Sequence, residues 1–255
     1  PVAVSFAFPG PADYENGVIG DLPNFKAFRD GVALGPYLEN ELKLPVFINN
    51  DGNLFAYGEA LHGALPMVNN WLLKAGCNRV YKNLIGLTFG TGFGCGVVIN
   101  NVLLTGDNGC GGDIWNFRNK KYPDKIVEES VSIRAVKRVY GELSGDDQTE
   151  LTPKDIFDIA EGKAFGDQSA AIRSFEELGE MAGDALAHML TVVDGLVVIG
   201  GGLTGAYKYI MPSLMRELRI HMNMFSGDRV GRIQMEPFNL MNEAEKFEFL
   251  SSKPH

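Results

Sequence analysis

Four glycines alternate along one stretch, Gly90, Gly92, Gly94 and Gly96, inside LIGLTFGTGFGCGVVINNVLLTGDNGCGG (residues 84–112). Glycines this dense let a backbone approach a ligand or another element, because no Cβ stands between them. The spacing is not that of a dinucleotide fingerprint. G-x-G-x-x-G counted from Gly90 needs glycine where Cys95 stands, and counted from Gly92 it needs glycine where Val97 stands. That fingerprint also opens a helix, whereas CGVVINNVLLTG reads as a β-hairpin turning at Asn100-Asn101, where asparagine tolerates positive φ. The unit is strand, Gly90-Thr91-Gly92, strand, turn, strand. Such a glycine turn points backbone N–H groups outward and suits an anion such as phosphate. An ordinary glycine-rich hairpin corner accounts for the same letters.

Two further places carry residues with chemical capacity. INNDGN puts Asn50 and Asp51 at the carboxyl end of an apolar run, the position at which open α/β sheets hold ligands. LVVIGGG puts Gly200, Gly201 and Gly202 between a strand and a helix, and a helix N-terminus favours phosphate. Close packing of that helix on the strand is the competing account. Cys77, Cys95 and Cys110 are scattered, which fits a reducing compartment without a disulfide framework. The four histidines (His62, His188, His221, His255) stand at no zinc-ligand spacing to them.

The elements that would position these residues alternate between strand and helix. Residues 2–8 read as a buried strand, 32–43 as a helix with Leu34, Leu38 and Leu42 on one face, and PVFINN as a strand followed by Asp51-Gly52-Asn53 and then a helix, LFAYGEALHGAL. Residues 66–82 read as less regular, with Trp71 as a packing anchor. Helices are expected over 129–141, from Thr152-Pro153 to Gly162, over 168–192 and over 205–220. RIQMEPF reads as a last short strand, and NEAEKFEFLSSKPH as a charged helix with a frayed end. The 255 residues, 45% hydrophobic and 22% charged, suit a globular α/β protein. A net charge of −9 without a basic cluster argues against a nucleic-acid surface on this chain. No apolar run reaches the ~20 residues of a membrane span. The opening VAVSFAF lacks the lead-in that a central strand usually has, so an upstream part of the first domain is expected to be missing from this chain.

FPGPAD-x-x-NGVIGDLPN, INNDGN, LTFGTGFGCGVVINNVLLTGDNGCGGDI and VVIGGGL stand in that order, and together they closely resemble the ROK family of bacterial sugar kinases and sugar-responsive repressors. The resemblance implies a two-lobed actin-like, ribonuclease-H-like ATPase fold. It implies a small α/β lobe over 1–82, incomplete at its N-terminus, to which the tail 242–255 is a candidate addition, and a larger lobe over 83–241. Asp51 matches the catalytic aspartate that takes the proton from the attacking sugar hydroxyl. Gly10, Asn24, Asn50, Asp113, Asn116 and Glu128 match sugar-side positions, with a solvated helix-start residue as the competing account of Glu128. Gly90, Thr91 and Gly92 match a phosphate loop, and Gly200, Gly201 and Gly202 the loop near adenosine. The implied cofactors are ATP and Mg²⁺, the implied substrate is a hexose or amino-hexose in a glucokinase- or fructokinase-like reaction, and the implied state is a cytoplasmic homodimer.

This sequence departs from the family pattern in three places. Gly112-Asp113-Ile114-Trp115-Asn116 stands where the family carries Gly-Glu-x-Gly-His. The cysteine-rich zinc loop is missing, so no structural zinc is expected. Asp-x-Gly-Gly-Thr, the family's first phosphate motif, would lie upstream of Pro1. A sugar-sensing repressor with its DNA-binding segment outside this chain is the alternative function.

Overall fold

A computed structural model of the chain describes residues 1–10, 12–20, 26–145 and 150–252. The chain opens with Val4–Ala7 (β1), Ala12–Asp13 (β2), Val18–Ile19 (β3), Leu34–Leu42 (α1) and Val46–Asn49 (β4). β1 runs parallel to β4, and β2 is antiparallel to β3. Ile19 and Ile48 are buried here, with Phe6, Leu34 and Val46 packed around them. The strand expected to be buried over 2–8 is shorter, and Ser5 and Ala7 face solvent. β4 is its one paired strand among the described residues, so only one side of it is covered.

Asp51–Leu61 (α2) and Ala64–Lys74 (α3) follow. α3 occupies the stretch that the sequence reading left irregular. Its signal is Leu65, Val68 and Leu72 at i, i+3 and i+7, all buried. Pro66 and Asn69-Asn70 mask that signal. Yet Pro66 lies in the first turn, where the missing N–H has no helical partner to lose.

Leu84–Phe89 (β5), Phe93–Ile99 (β6) and Val102–Leu103 (β7) make the expected hairpin unit. Its turn residues Asn100 and Asn101 have φ of 52° and 64°. Ile133–Ser144 (α4), Pro153–Ala160 (α5) and Gln168–Val192 (α6) come next. The helix expected from 129 starts at Ile133, because Val127–Glu129 is a 3-10 turn. α5 starts on a capping box in which Thr152 and Asp155 satisfy each other's backbone N–H, worth about 1 kcal/mol.

Leu196–Gly200 (β8) then lies parallel to β5 and completes the sheet order β7-β6-β5-β8. Tyr207–Leu218 (α7), His221–Asn223 (β9), Arg229–Gly231 (β10) and Glu243–Ser251 (α8) end the chain. RIQMEPF is not a strand. The backbone groups around it are taken elsewhere: Arg232 N–H donates to the Ile220 carbonyl, and the Arg219 guanidinium donates to the Pro237 carbonyl. The strands lie just upstream, as the exposed β9–β10 hairpin.

Alternation along β5 divides the core. Ile85, Leu87 and Phe89 face a cluster built by α4, α5, α6 and α7. Leu84 faces the opposite side, where Ala56 and Ala60 of α2, Leu65, Val68 and Leu72 of α3 and Phe249 of α8 pack. The sheet is thus covered on both faces, as the layer rule for α/β folds requires. Among the described residues, no helix is long and apolar enough to cross a membrane.

Candidate active site

α2 lies directly on β5 and β6, and this explains part of the glycine pattern. Gly86 and Gly96 stand opposite each other in register. A Cβ on either would fall 2.6 Å from the Ala56 Cβ, and one on Gly96 would also fall 2.6 Å from the Gly52 carbonyl oxygen. A Cβ on Gly52 would come 3.0 Å from the Cys95 amide nitrogen. Gly86 and Gly96 therefore serve helix-on-sheet contact, a Cβ on Gly94 would instead meet the Thr88 side chain across the hairpin, and the turn reading is left to Gly90 and Gly92.

The same contact fixes the amino end of α2. Asn50 is its N-cap, accepting from the Gly52 N–H at 2.8 Å and the Asn53 N–H at 3.4 Å. Asp51 is the first helical residue and is exposed. Its Oδ1 accepts the Gly52 N–H at 2.9 Å, which leaves the other carboxylate oxygen open. Further in, Asn53 donates to Asn49 Oδ1 at 3.2 Å, while its own Oδ1 is buried without a partner among the described residues.

Tyr14 stands beside this end. Its hydroxyl donates to the Phe8 carbonyl at 2.9 Å and lies 3.2 Å from where a Gly10 Cβ would be. Its acidity is weakened chiefly by burial, with the Asp51 and Asp113 carboxylates adding and the Asn50 side chain opposing. Asp113 also acts on Cys95, whose thiol is pushed up to about 12, first by burial and then by that carboxylate. Gly10 lies at this phenol, and Asn50, Asp51 and Asp113 act on its acidity.

Gly112, at φ 91°, turns the chain back against Cys95 and Val97. Ile114 is buried beneath, while Asp113 and Asn116 are exposed on one 3-10 turn. Neither side chain makes a hydrogen bond or ion pair among the described residues.

The two glycine loops leave neighbouring parallel strands at the same end. Thr88 pairs with Gly200 in register, and Gly201 turns at φ 96° with its α-carbon against the Phe89 backbone. A side chain at Gly201 would strike that backbone. Gly90 and Gly202 face open space. The arrangement is two backbone loops around an uncovered volume, with Phe55 of α2 closing one side against Gly200.

Glu128 sits at the first of these loops rather than free in the cleft. It accepts the Phe93 N–H at 3.0 Å and pairs with Arg134 at 2.8 Å. Asn24 lies outside the described residues. Tyr14, Gly52 and Arg134 are the site-forming residues that sequence reasoning missed. Tyr14 gave only the weak signal of an aromatic within a Pro-, Gly- and Asn-rich stretch.

The segment after Asn116 is fastened by side chains. Asn119 is fully buried, donates to Ser130 Oγ at 2.8 Å and accepts the Lys121 and Tyr122 N–H groups at 3.0 Å each. Lys120 pairs with Glu217 at 2.9 Å, and Lys121 with Glu177 at 2.7 Å, which ties the segment to α7 and α6.

A family model described as ROK family matches residues 1–236. A glucokinase from Halalkalibacterium halodurans is 27% identical over 251 residues, covering 90% of this chain and 68% of that protein. The crystal structure of a glucokinase from Parabacteroides distasonis superposes with a TM-score of 0.88 at 61% identity, over 98% of this chain and 68% of that one. A xylose repressor from Caldicellulosiruptor bescii is 23% identical, covering 85% of this chain and 54% of the repressor. The actin-like α/β fold expected from the sequence motifs is the fold of these neighbours.

Proposed function

This chain belongs to the ROK family, and from that premise we propose that it is an ATP-dependent sugar kinase acting on a hexose or amino-hexose, with Asp51 as general base. The observation that carries this reading is the placement of Asp51. It is exposed at the capped end of α2, and that end is pressed onto the sheet from which both glycine loops emerge. Its free carboxylate oxygen can accept the proton of a sugar hydroxyl as that oxygen attacks the γ-phosphate in line. The Asn50 and Asn116 amides can donate to and accept from a polyol, and the Asp113 carboxylate can accept from it. The Tyr14 hydroxyl, already donating to Phe8, orders the wall between them.

The nucleotide fits the loops. Gly90 and Gly202 face open space; the Gly90 N–H is donated to the Gly92 carbonyl at 3.1 Å, so the N–H groups of Thr91, Gly92 and Gly202 are those that can meet phosphate oxygens. Mg²⁺ would bridge the ATP phosphate oxygens, as phosphoryl transfer requires. Bound there, it would neutralise charge developing on the transferred group.

The test is ADP formation with Mg²⁺ and ATP across a panel of hexoses and amino-hexoses. Asp51→Asn should lower kcat by about 10²- to 10⁴-fold, the range of a general base, with sugar affinity nearly kept. Full turnover in that variant sinks the assignment. The substituted segment Asp113–Asn116 favours one second reading, a non-catalytic sugar sensor. Sugar binding without any ADP formation would select it.

A further inference from the structure

The turn Gly90–Gly92 is held by more than its own hairpin. The Ile133 N–H, at the start of α4, donates to the Gly90 carbonyl at 2.9 Å. Arg134, the next residue, donates to the Thr91 carbonyl at 3.5 Å. Glu128 Oε2 accepts the Phe93 N–H at 3.0 Å and lies 2.6 Å from where a Cβ on Gly92 would stand. The other oxygen of Glu128 takes the Arg134 guanidinium at 2.8 Å, and Arg134 also pairs with Glu129 at 2.7 Å. Ser132 Oγ donates to the Glu128 carbonyl at 2.8 Å and fixes that residue's backbone. Every residue of the turn is therefore gripped from the segment 128–134.

The grip has chemical slack at Glu128. A carboxylate accepts about four hydrogen bonds, and Glu128 uses one per oxygen. Its remaining lone pairs are available to a ligand hydroxyl. Its side chain is 21% exposed, against 41% for Glu129. A ligand that engages Glu128 engages an atom group already bonded to the phosphate turn.

We propose that Glu128 and Arg134 couple the two substrates: Glu128 is shared between a sugar hydroxyl and the phosphate turn, and Arg134 is the positioning residue that orients it. This rests on the sugar-kinase reading for the identity of the ligands. Sugar on Glu128 then sharpens the geometry of the Phe93 N–H and the turn, so sugar tightens nucleotide binding and nucleotide tightens sugar binding by the same factor. Arg134 acts through this carboxylate and touches neither reacting atom.

The experiment is calorimetric titration of a non-hydrolysable ATP analogue with Mg²⁺, with and without the sugar that supports turnover best, alongside steady-state kinetics. It is run on the wild-type protein and on Arg134→Gln and Arg134→Lys. Wild type should bind the analogue about tenfold more tightly with sugar present. Arg134→Gln should lose most of that factor and raise KM for ATP about tenfold. Arg134→Lys, keeping a charge but not the fork, should recover part of the factor. Wild-type coupling in Arg134→Gln overturns the inference, and so does an equal loss in both variants that tracks a lowered melting temperature. Coupling without phosphoryl transfer defeats the kinase reading alone. Transfer without coupling defeats this inference alone.

Discussion

Cys95 lies under the amino end of α2, its backbone touching Gly52. Its thiol is buried and pushed up from an ordinary 9.0 to about 12, while Cys110 is exposed. Reactivity follows the thiolate, so an alkylating reagent at pH 8 should label Cys110 in the native protein and spare Cys95, as peptide mass mapping would read. Stability carries the same sign. A raised folded value means that the contribution is fully present below pH 9 and is lost between 9 and about 12, because only the unfolded thiol ionises in that window. The loss should be on the order of 4 kcal/mol in the unfolding free energy read from urea titrations, and Cys95→Ala should flatten it. At this scale the sequence was legible where one residue does a local job: Asn50 and Asp51 are named by their place at the carboxyl end of a strand. Tyr14 was not legible, because Phe8, Gly10, Asn50, Asp51 and Asp113 reach it from three separate segments.

α2 is the element on which the site depends, since Asp51 rides on it. Gly96→Ala would force a methyl within 2.6 Å of Ala56 and of the Gly52 carbonyl, and backbone cannot swing aside as a flexible side chain could. Overpacking of this kind costs about 1–3 kcal/mol, and it should tilt the end carrying Asp51 and lower kcat. Gly58→Ala is the matched control. It lies in the same helix facing open space, so it should stabilise by up to about 1 kcal/mol and leave turnover unchanged. Thermal melts with parallel kinetics separate the two, and equal behaviour of both variants would contradict this account of the glycines. Elements with a local start signal were readable. α6 begins on the Asp167 cap and runs over the expected residues 168–192. α3 was hidden by a proline that its first turn tolerates. RIQMEPF failed because apolar alternation cannot tell that no strand is beside it.

Across the whole molecule, one sheet carries two cores, and the end of the chain closes the smaller one. Phe249 of α8 packs against Tyr81 and Phe238, with the Arg79 guanidinium 4.7 Å from its ring centroid. Phe249→Ala should therefore cost about 3–5 kcal/mol in denaturant titration, more than a peripheral tail could. A negligible shift would show that α8 is dispensable to that core. The sequence revealed a charged helix in the tail but not its seat. That seat is assembled from α2, α3, β5, β6 and β8, which lie far from it along the chain.

The two walls around Asp51 are built under unequal constraint. On one side Asn50 is committed to capping, Gly52 to the Cys95 backbone and Asn53 to Asn49. On the other, Asp113 and Asn116 stand exposed on a short turn anchored by buried Ile114, with side chains bonded to nothing else among the described residues. Mutational freedom is concentrated on that second wall. A directed-evolution library aimed at new acceptors would retain most of its folded members if it varied 113, 115 and 116, and would lose most of them if it varied 50, 52 and 53. The fold thereby separates the part that must stay fixed for chemistry from the part through which substrate range can drift.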